Sequence, residues 1–183
     1  MGVIWIAAVA LWGIAEASLF FVVPDVLITF VVMRYGLRQG LLLCVVAALF
    51  ATVTGYFMWL WGAHDAGTAR HAMLLVPAIG PDLLRRAHDE IASGWPFHLV
   101  TGAMTGVPYK LYAVEAGARG IDPILFLPMS FVARLSRFVL TAVCAAIGRE
   151  AALRIGRPDW RYGIWALAWI GTYGYYWTTR GFL

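Results

Sequence analysis

The chain has 183 residues, 62% of them hydrophobic and only 13% charged, with a formal net charge of +4 and a mean hydropathy of +0.76. A soluble domain is roughly half apolar and about a quarter charged. This chain carries too little charge to coat a water-facing surface, so an all-α integral membrane protein is expected. Nine Trp and eight Tyr suit a chain with two membrane-water interfaces.

Five apolar stretches follow in order. The first runs from Gly2 to Met33 and is interrupted by Glu16, Pro24 and Asp25. Ala15-Glu16-Ala17 mimics a signal-peptide cleavage site, but no Lys or Arg precedes it, so it is expected to stay in the chain. Ile6 stands where a myristoylation motif needs Ser or Thr. The second stretch, Leu41 to Gly62, has 22 residues and no charge. That length crosses a hydrocarbon core of about 30 Å as a helix. Ala47, Ala51 and Gly55 recur every four residues along it, a small-residue stripe read as packing. Between Gly67 and Gly94 the composition turns polar. There Asp82 to Ile91 places apolar residues at 83, 84, 87 and 91, predicting an amphipathic helix on the outer interface or in a solvated connector. The third stretch, Trp95 to Ala118, holds Pro108, Lys110 and Glu115. The fourth, Pro123 to Gly148, holds Arg134 and Arg137, and the last, Tyr162 to Thr178, is rich in Trp and Tyr.

Pro24-Asp25 and Pro108-Tyr109-Lys110 would break straight helices. Broken backbone at membrane depth is tolerated only inside protein or beside a wet cavity. The expected fold is therefore two opposed re-entrant helical hairpins plus about three transmembrane helices in a single membrane domain, 1–183. Residues 1–62 form a hairpin plus helix, 63–94 an outer connector with an interfacial helix, 95–148 a second hairpin plus helix, and 162–178 a final helix. This topology puts six arginines (34, 38, 149, 154, 157 and 161) on one side against Glu150 and Asp159, a net of +4. The other side balances five arginines, including Arg180, against five acids. The positive-inside rule then places the N-terminus in the cytoplasm. A shift of 84 residues lays Pro24 on Pro108, Gly36 on Gly120 and Leu41 on Leu125, an inverted-repeat-like order of elements found in transporters.

Six charges fall within the apolar stretches: Glu16, Asp25 and Glu115 against Lys110, Arg134 and Arg137. Ions at bilayer depth pair with one another or line a polar cavity. Arg134 and Arg137 are three apart and share a helix face, extended by Ser130 and Thr141. Their guanidiniums match phosphate or carboxylate oxygens, and Lys110 joins them as a candidate for binding an anionic headgroup. Glu16, Asp25 and Glu115 are candidates for proton coupling or gating. The bland alternative is that the acids only neutralise the arginines, with Asp25 capping a helix and Glu115 pairing with Lys110. Cys44 and Cys144 form no disulfide framework, and the four His lack ligand spacing, so no metal or other cofactor is expected. No Ser-His-Asp order or phosphate loop argues for an enzyme.

Glu16 followed by Pro24-Asp25-Val26-Leu27 resembles the first re-entrant loop of the DedA superfamily, also called the VTT or SNARE-associated domain. Gly106-Val107-Pro108-Tyr109-Lys110, then Ala116-Gly117, then Phe131-Val132-Ala133-Arg134-Leu135-Ser136-Arg137-Phe138, is similar to its small YqaA-type branch. The resemblance spans roughly Ala10 to Arg149. It implies a bacterial inner-membrane, multi-pass protein that translocates an anionic lipid. The leading substrate is a polyprenyl (undecaprenyl) phosphate, with coupling to protons. Residue by residue, Glu16 and Asp25 match the hairpin acids, Arg134 and Arg137 the helix arginines, and Lys110 the branch motif. Val22-Val23 before Pro24-Asp25 departs from the Pro-Gly-Glu or double proline of many members, which leaves the substrate open. The expected partners are membrane lipids and no nucleic acid, and a homo-oligomer is compatible with this. A non-transporting structural or assembly factor is the alternative.

Overall fold

The computed structural model of the chain describes residues 2–18 and 22–180, with the side chains at 103–104 and 179–180 outside that description. The turn expected within EASLFFVVPD therefore includes residues, 19–21, that lie outside the described ones, and so does the Arg180 side chain. The described residues form eight helices and no strand. They are α1 (Val3–Ala17), α2 (Asp25–Tyr35), α3 (Leu37–His64), α4 (Ala66–Leu74), α5 (Pro81–Thr105), α6 (Tyr109–Ala118), α7 (Pro123–Arg154) and α8 (Trp160–Arg180).

By length and composition α3 and α7 can each cross a bilayer, as the second and fourth apolar stretches predict. They pack on each other at the centre. Around them α1 lies on α3 and α5 on α7, while α6 lies on α3 and α2 on α7. Exchanging the halves of the chain thus exchanges these contacts. The 84-residue offset is visible in the backbone too. Pro24 and Pro108 are the N-cap residues of α2 and α6. Gly36 and Gly120, with φ of 91° and 66°, turn each short helix into the long one that follows. Only glycine adopts that left-handed region freely.

Glycine also permits close approach. A methyl on Gly117 would overlap the Trp59 carbonyl oxygen, and one on Gly62 the Val114 carbonyl oxygen, so α3 and α6 touch backbone to backbone. The small stripe on α3 has the same use. Gly13 of α1 rests on Ala47, and Gly55 leaves room for the Tyr109 ring.

The connector differs from its expectation. It begins with α4, which the sequence reading did not foresee, capped by Asp65 accepting from the Thr68 amide at 3.0 Å. The amphipathic segment 82–91 is not a separate helix but the first half of α5, which breaks at Gly94 (φ 167°, ψ 64°). Arg86 donates to the Thr105 hydroxyl at 3.0 Å. An unbroken helix would hold residues 19 apart some 28 Å distant, so the two halves fold back on each other. Tyr112 adds a hydrogen bond to Glu90. The α4–α5 turn, with Ala78 at φ 63°, lines one cavity together with the α5–α6 turn at Gly106–Pro108.

The long helices expose apolar side chains. Leu42, Leu49, Val53 and Phe57 stand exposed along α3, with Ile124, Val132, Leu140 and Ile147 along α7, Val3, Ile4 and Leu11 on α1, and Leu167 and Ile170 on α8. The interior, by contrast, holds Glu16, Asp25, Lys110, Glu115 and Arg134 buried.

Candidate functional site

Arg134 and Arg137 leave one face of α7 a single turn apart. The Arg134 side chain is 1% exposed and grips Glu16 with two nitrogens, Nη1 to Oε1 at 3.2 Å and Nη2 to Oε2. Its guanidinium carbon lies 5.1 Å from the Tyr109 ring centre and 4.8 Å from that of Phe138. This stacking on ring faces suits a planar cation withdrawn from water. Arg137 donates Nη2 to Asp25 Oδ2 at 2.5 Å, and the Thr141 hydroxyl donates to Oδ1 at 2.8 Å. Asp25 is the first residue of α2 and caps nothing with its side chain; the N-cap is Pro24.

These pairs border a cavity of about 300 Å³. Its polar lining is Glu16, Asp25, Lys110, Arg137, Thr141 and Thr172. Its apolar lining comes from four places: Val23, the α5–α6 turn at Gly106–Pro108, the turn at Val76, Pro77 and Ile79, and the α8 rings Trp169, Tyr173 and Tyr176. Arg134 does not line it. That arginine holds Glu16 in place, whereas Arg137, 18% exposed, presents its guanidinium at the cavity wall.

Glu115 is placed elsewhere. Arg70 donates Nε and Nη2 to its two oxygens at 2.6 and 2.8 Å, and His88 Nδ1 lies 2.8 Å from Oε2. Arg119 Nη2 approaches His88 Nε2 at 2.9 Å. A guanidinium only donates, so Nε2 accepts and the imidazole proton sits on Nδ1, facing Glu115. The expected pairing of Glu115 with Lys110 is thus replaced by Arg70 and His88. The reason is helical: residues five apart project about 140° from each other. Arg70, His88 and the aromatic wall of α8 are the residues that sequence reasoning missed. A signal for the wall existed, since Trp165, Trp169, Tyr173 and Tyr176 recur at helical spacing on one face.

The wall is tied down by Thr29. Its hydroxyl donates to the Asp25 carbonyl at 2.6 Å and accepts from the indoles of Trp165 and Trp169 at 3.1 and 2.9 Å. The Val23 amide donates to the Tyr173 hydroxyl at 3.2 Å. Among the described residues no cluster of His, Cys, Asp or Glu is arranged to hold a metal ion.

Comparison with protein-family models, with curated proteins and with solved structures gives no match. The functional reading accordingly rests on the cavity and on the sequence motifs that line it.

Proposed function

We propose that the chain is a multi-pass membrane protein of the bacterial inner membrane that moves an anionic lipid, a polyprenyl phosphate by its resemblance to the DedA superfamily. The observation that carries this reading is a cavity with Lys110 and Arg137 beside Glu16 and Asp25, in a bundle whose long helices expose apolar side chains. Contiguous exposed apolar surface marks contact with lipid, and buried ionisable groups mark a pathway. The exchange of contacts between the two halves supports an inverted repeat of re-entrant hairpins around that pathway.

The geometry suggests how the residues divide the work. A phosphate entering the cavity competes with Asp25 for Arg137, and protonation of Asp25 would favour the exchange. Thr141 holds the freed carboxyl group. Lys110 supplies a second cation from the opposite hairpin. Some 300 Å³ is the volume of about ten water molecules. That is room for a headgroup and a few methylenes, with the remaining tail outside in lipid.

Proteoliposomes carrying a fluorescent polyprenyl phosphate test the reading. Lys110→Ala with Arg137→Ala is expected to lower the rate of transbilayer movement at least about tenfold, the kinetic equivalent of about 1.4 kcal/mol. An unchanged rate in a folded double variant would overturn it. A second reading, a non-transporting assembly factor, is favoured by one observation: both arginines already have carboxylate partners. It predicts no lipid movement by the wild-type chain.

A further inference from the structure

The arginines outside the cavity differ between the two ends of the molecule. At one end Arg70 pairs with Glu115, Arg85 with Asp82 and Arg86 with Glu90, and Arg119 bonds His88. The charge of the first three is met by acids and Arg119 by a neutral acceptor. At the other end Arg34 closes α2, Arg149 lies in the last turns of α7 and Arg161 in the first turn of α8. Among the described residues none of the three forms a salt bridge, although Glu150 is near in sequence; Glu150 is taken by Arg154. Gly148 packs toward Met33 and Ile164, which joins α7, α2 and α8 at this end, and Arg149 and Arg34 are the next residues along α7 and α2. Arg161 stands one turn before Ile164 on the same side. The Nε atoms of Arg149 and Arg161 are shielded and have no acceptor. A guanidinium so placed gains most from a charged acceptor at its terminal nitrogens. Aromatic rings adjoin: Arg34 lies over Tyr35 and Arg161 over Tyr162, and Phe30 packs between Trp5, Tyr162 and Trp165.

We propose that Arg34, Arg149 and Arg161 form a binding site, separate from the transport cavity, for the phosphate of an anionic phospholipid headgroup at the α2–α7–α8 junction. Three cations without acidic partners among the described residues stand at the edge of an exposed apolar surface and beside rings that suit the headgroup zone. The charge favours a lipid with a net negative headgroup over a zwitterionic one, and the apolar helix faces below receive its chains. A headgroup bound there bridges α2, α7 and α8, the elements that wall the cavity, and so stabilises them together. The site requires only that this end of the bundle meet a leaflet, not that the cavity transport anything.

Thermal unfolding of the full chain in zwitterionic detergent tests this, with phosphatidylglycerol, phosphatidylcholine or inorganic phosphate added. Phosphatidylglycerol is expected to raise Tm by about 5 °C or more, and phosphatidylcholine to leave it unmoved. The variant Arg34→Gln, Arg149→Gln, Arg161→Gln should lose that rise, while Arg70→Gln, at the other end, keeps it. Lys110→Ala with Arg137→Ala also keeps it, which separates this site from the cavity. A rise equal for both lipids, or retained by the triple variant, overturns the proposal. A rise produced by inorganic phosphate alone would show an anion site rather than a lipid site and equally overturn it. If the triple variant does not fold, charge reversal at Arg161 alone (Arg161→Glu) should reduce the shift, and an undiminished shift counts against the site.

Discussion

The ion pair of Arg134 with Glu16 shows how one residue fixes another. Arg134 is sealed from water and from the cavity, bonded to Glu16 and packed on two rings. Removing one partner of such a pair leaves an uncompensated charge, which costs about 3–5 kcal/mol. Glu16→Ala should therefore lower stability by that amount in equilibrium unfolding in mixed micelles. Replacing both residues by Leu should recover most of the loss, because the pair's net contribution is small against an apolar substitute. Arg137 differs in kind despite lying three residues away. Its acid partner sits at the cavity edge, so on the proposed function, where an incoming anion displaces that acid, Arg137→Ala should affect transport more than folding. The arginine spacing is legible in the sequence, but the division of roles is not. It depends on which guanidinium Tyr109 and Phe138 cover.

At the scale of elements, helices are held by small polar devices. The Asp65 carboxyl lies below its usual range because the Thr68 hydroxyl and amide donate to it. A depressed carboxyl stabilises the folded state above its unfolded value, near pH 4, and the contribution fades as pH falls through the folded value. Asp65→Ala should thus lower Tm at pH 7, with the gap from wild type closing as the buffer is taken below about pH 4. The second device is Thr29, one hydroxyl that accepts from two indoles. Thr29→Val leaves both N–H groups without their acceptor, at a cost of about 1–3 kcal/mol. The expected signs are a lowered Tm and a red-shifted, more quenchable tryptophan emission as α8 loosens from α2. The break in α5 has a related lesson. Periodicity predicted a helix over 82–91 within a polar segment that closes at Gly94; that the halves of α5 fold together was decided by contacts such as Arg86 with Thr105.

For the whole molecule, a small group of charges, Glu16, Asp25, Lys110, Glu115 and Arg134, lies inside, while large aliphatic side chains stand exposed along α1, α3, α7 and α8. Val53, 56% exposed near the middle of α3, distinguishes the two settings. Arginine at an exposed position of a soluble helix would be nearly neutral. At the centre of a membrane helix it opposes insertion by about 2.5–3.5 kcal/mol. Val53→Arg is therefore expected to reduce the membrane-inserted fraction in an insertion assay, and an unaffected fraction would argue against a lipid-facing α3. The long apolar runs, the prolines and glycines at an offset of 84, and the paired arginines are all local in the chain, and they set helix positions, breaks and the α7 face. They do so because hydropathy, backbone restriction and helical spacing act over a few residues. Which acid meets which arginine is not local. Glu16 lies 118 residues from Arg134, and Glu115 turns away from nearby Lys110 toward Arg70. Only the packing of α1, α2, α4 and α6 around α3 and α7 decides those pairings, because an ion at depth bonds whichever partner the bundle brings within reach.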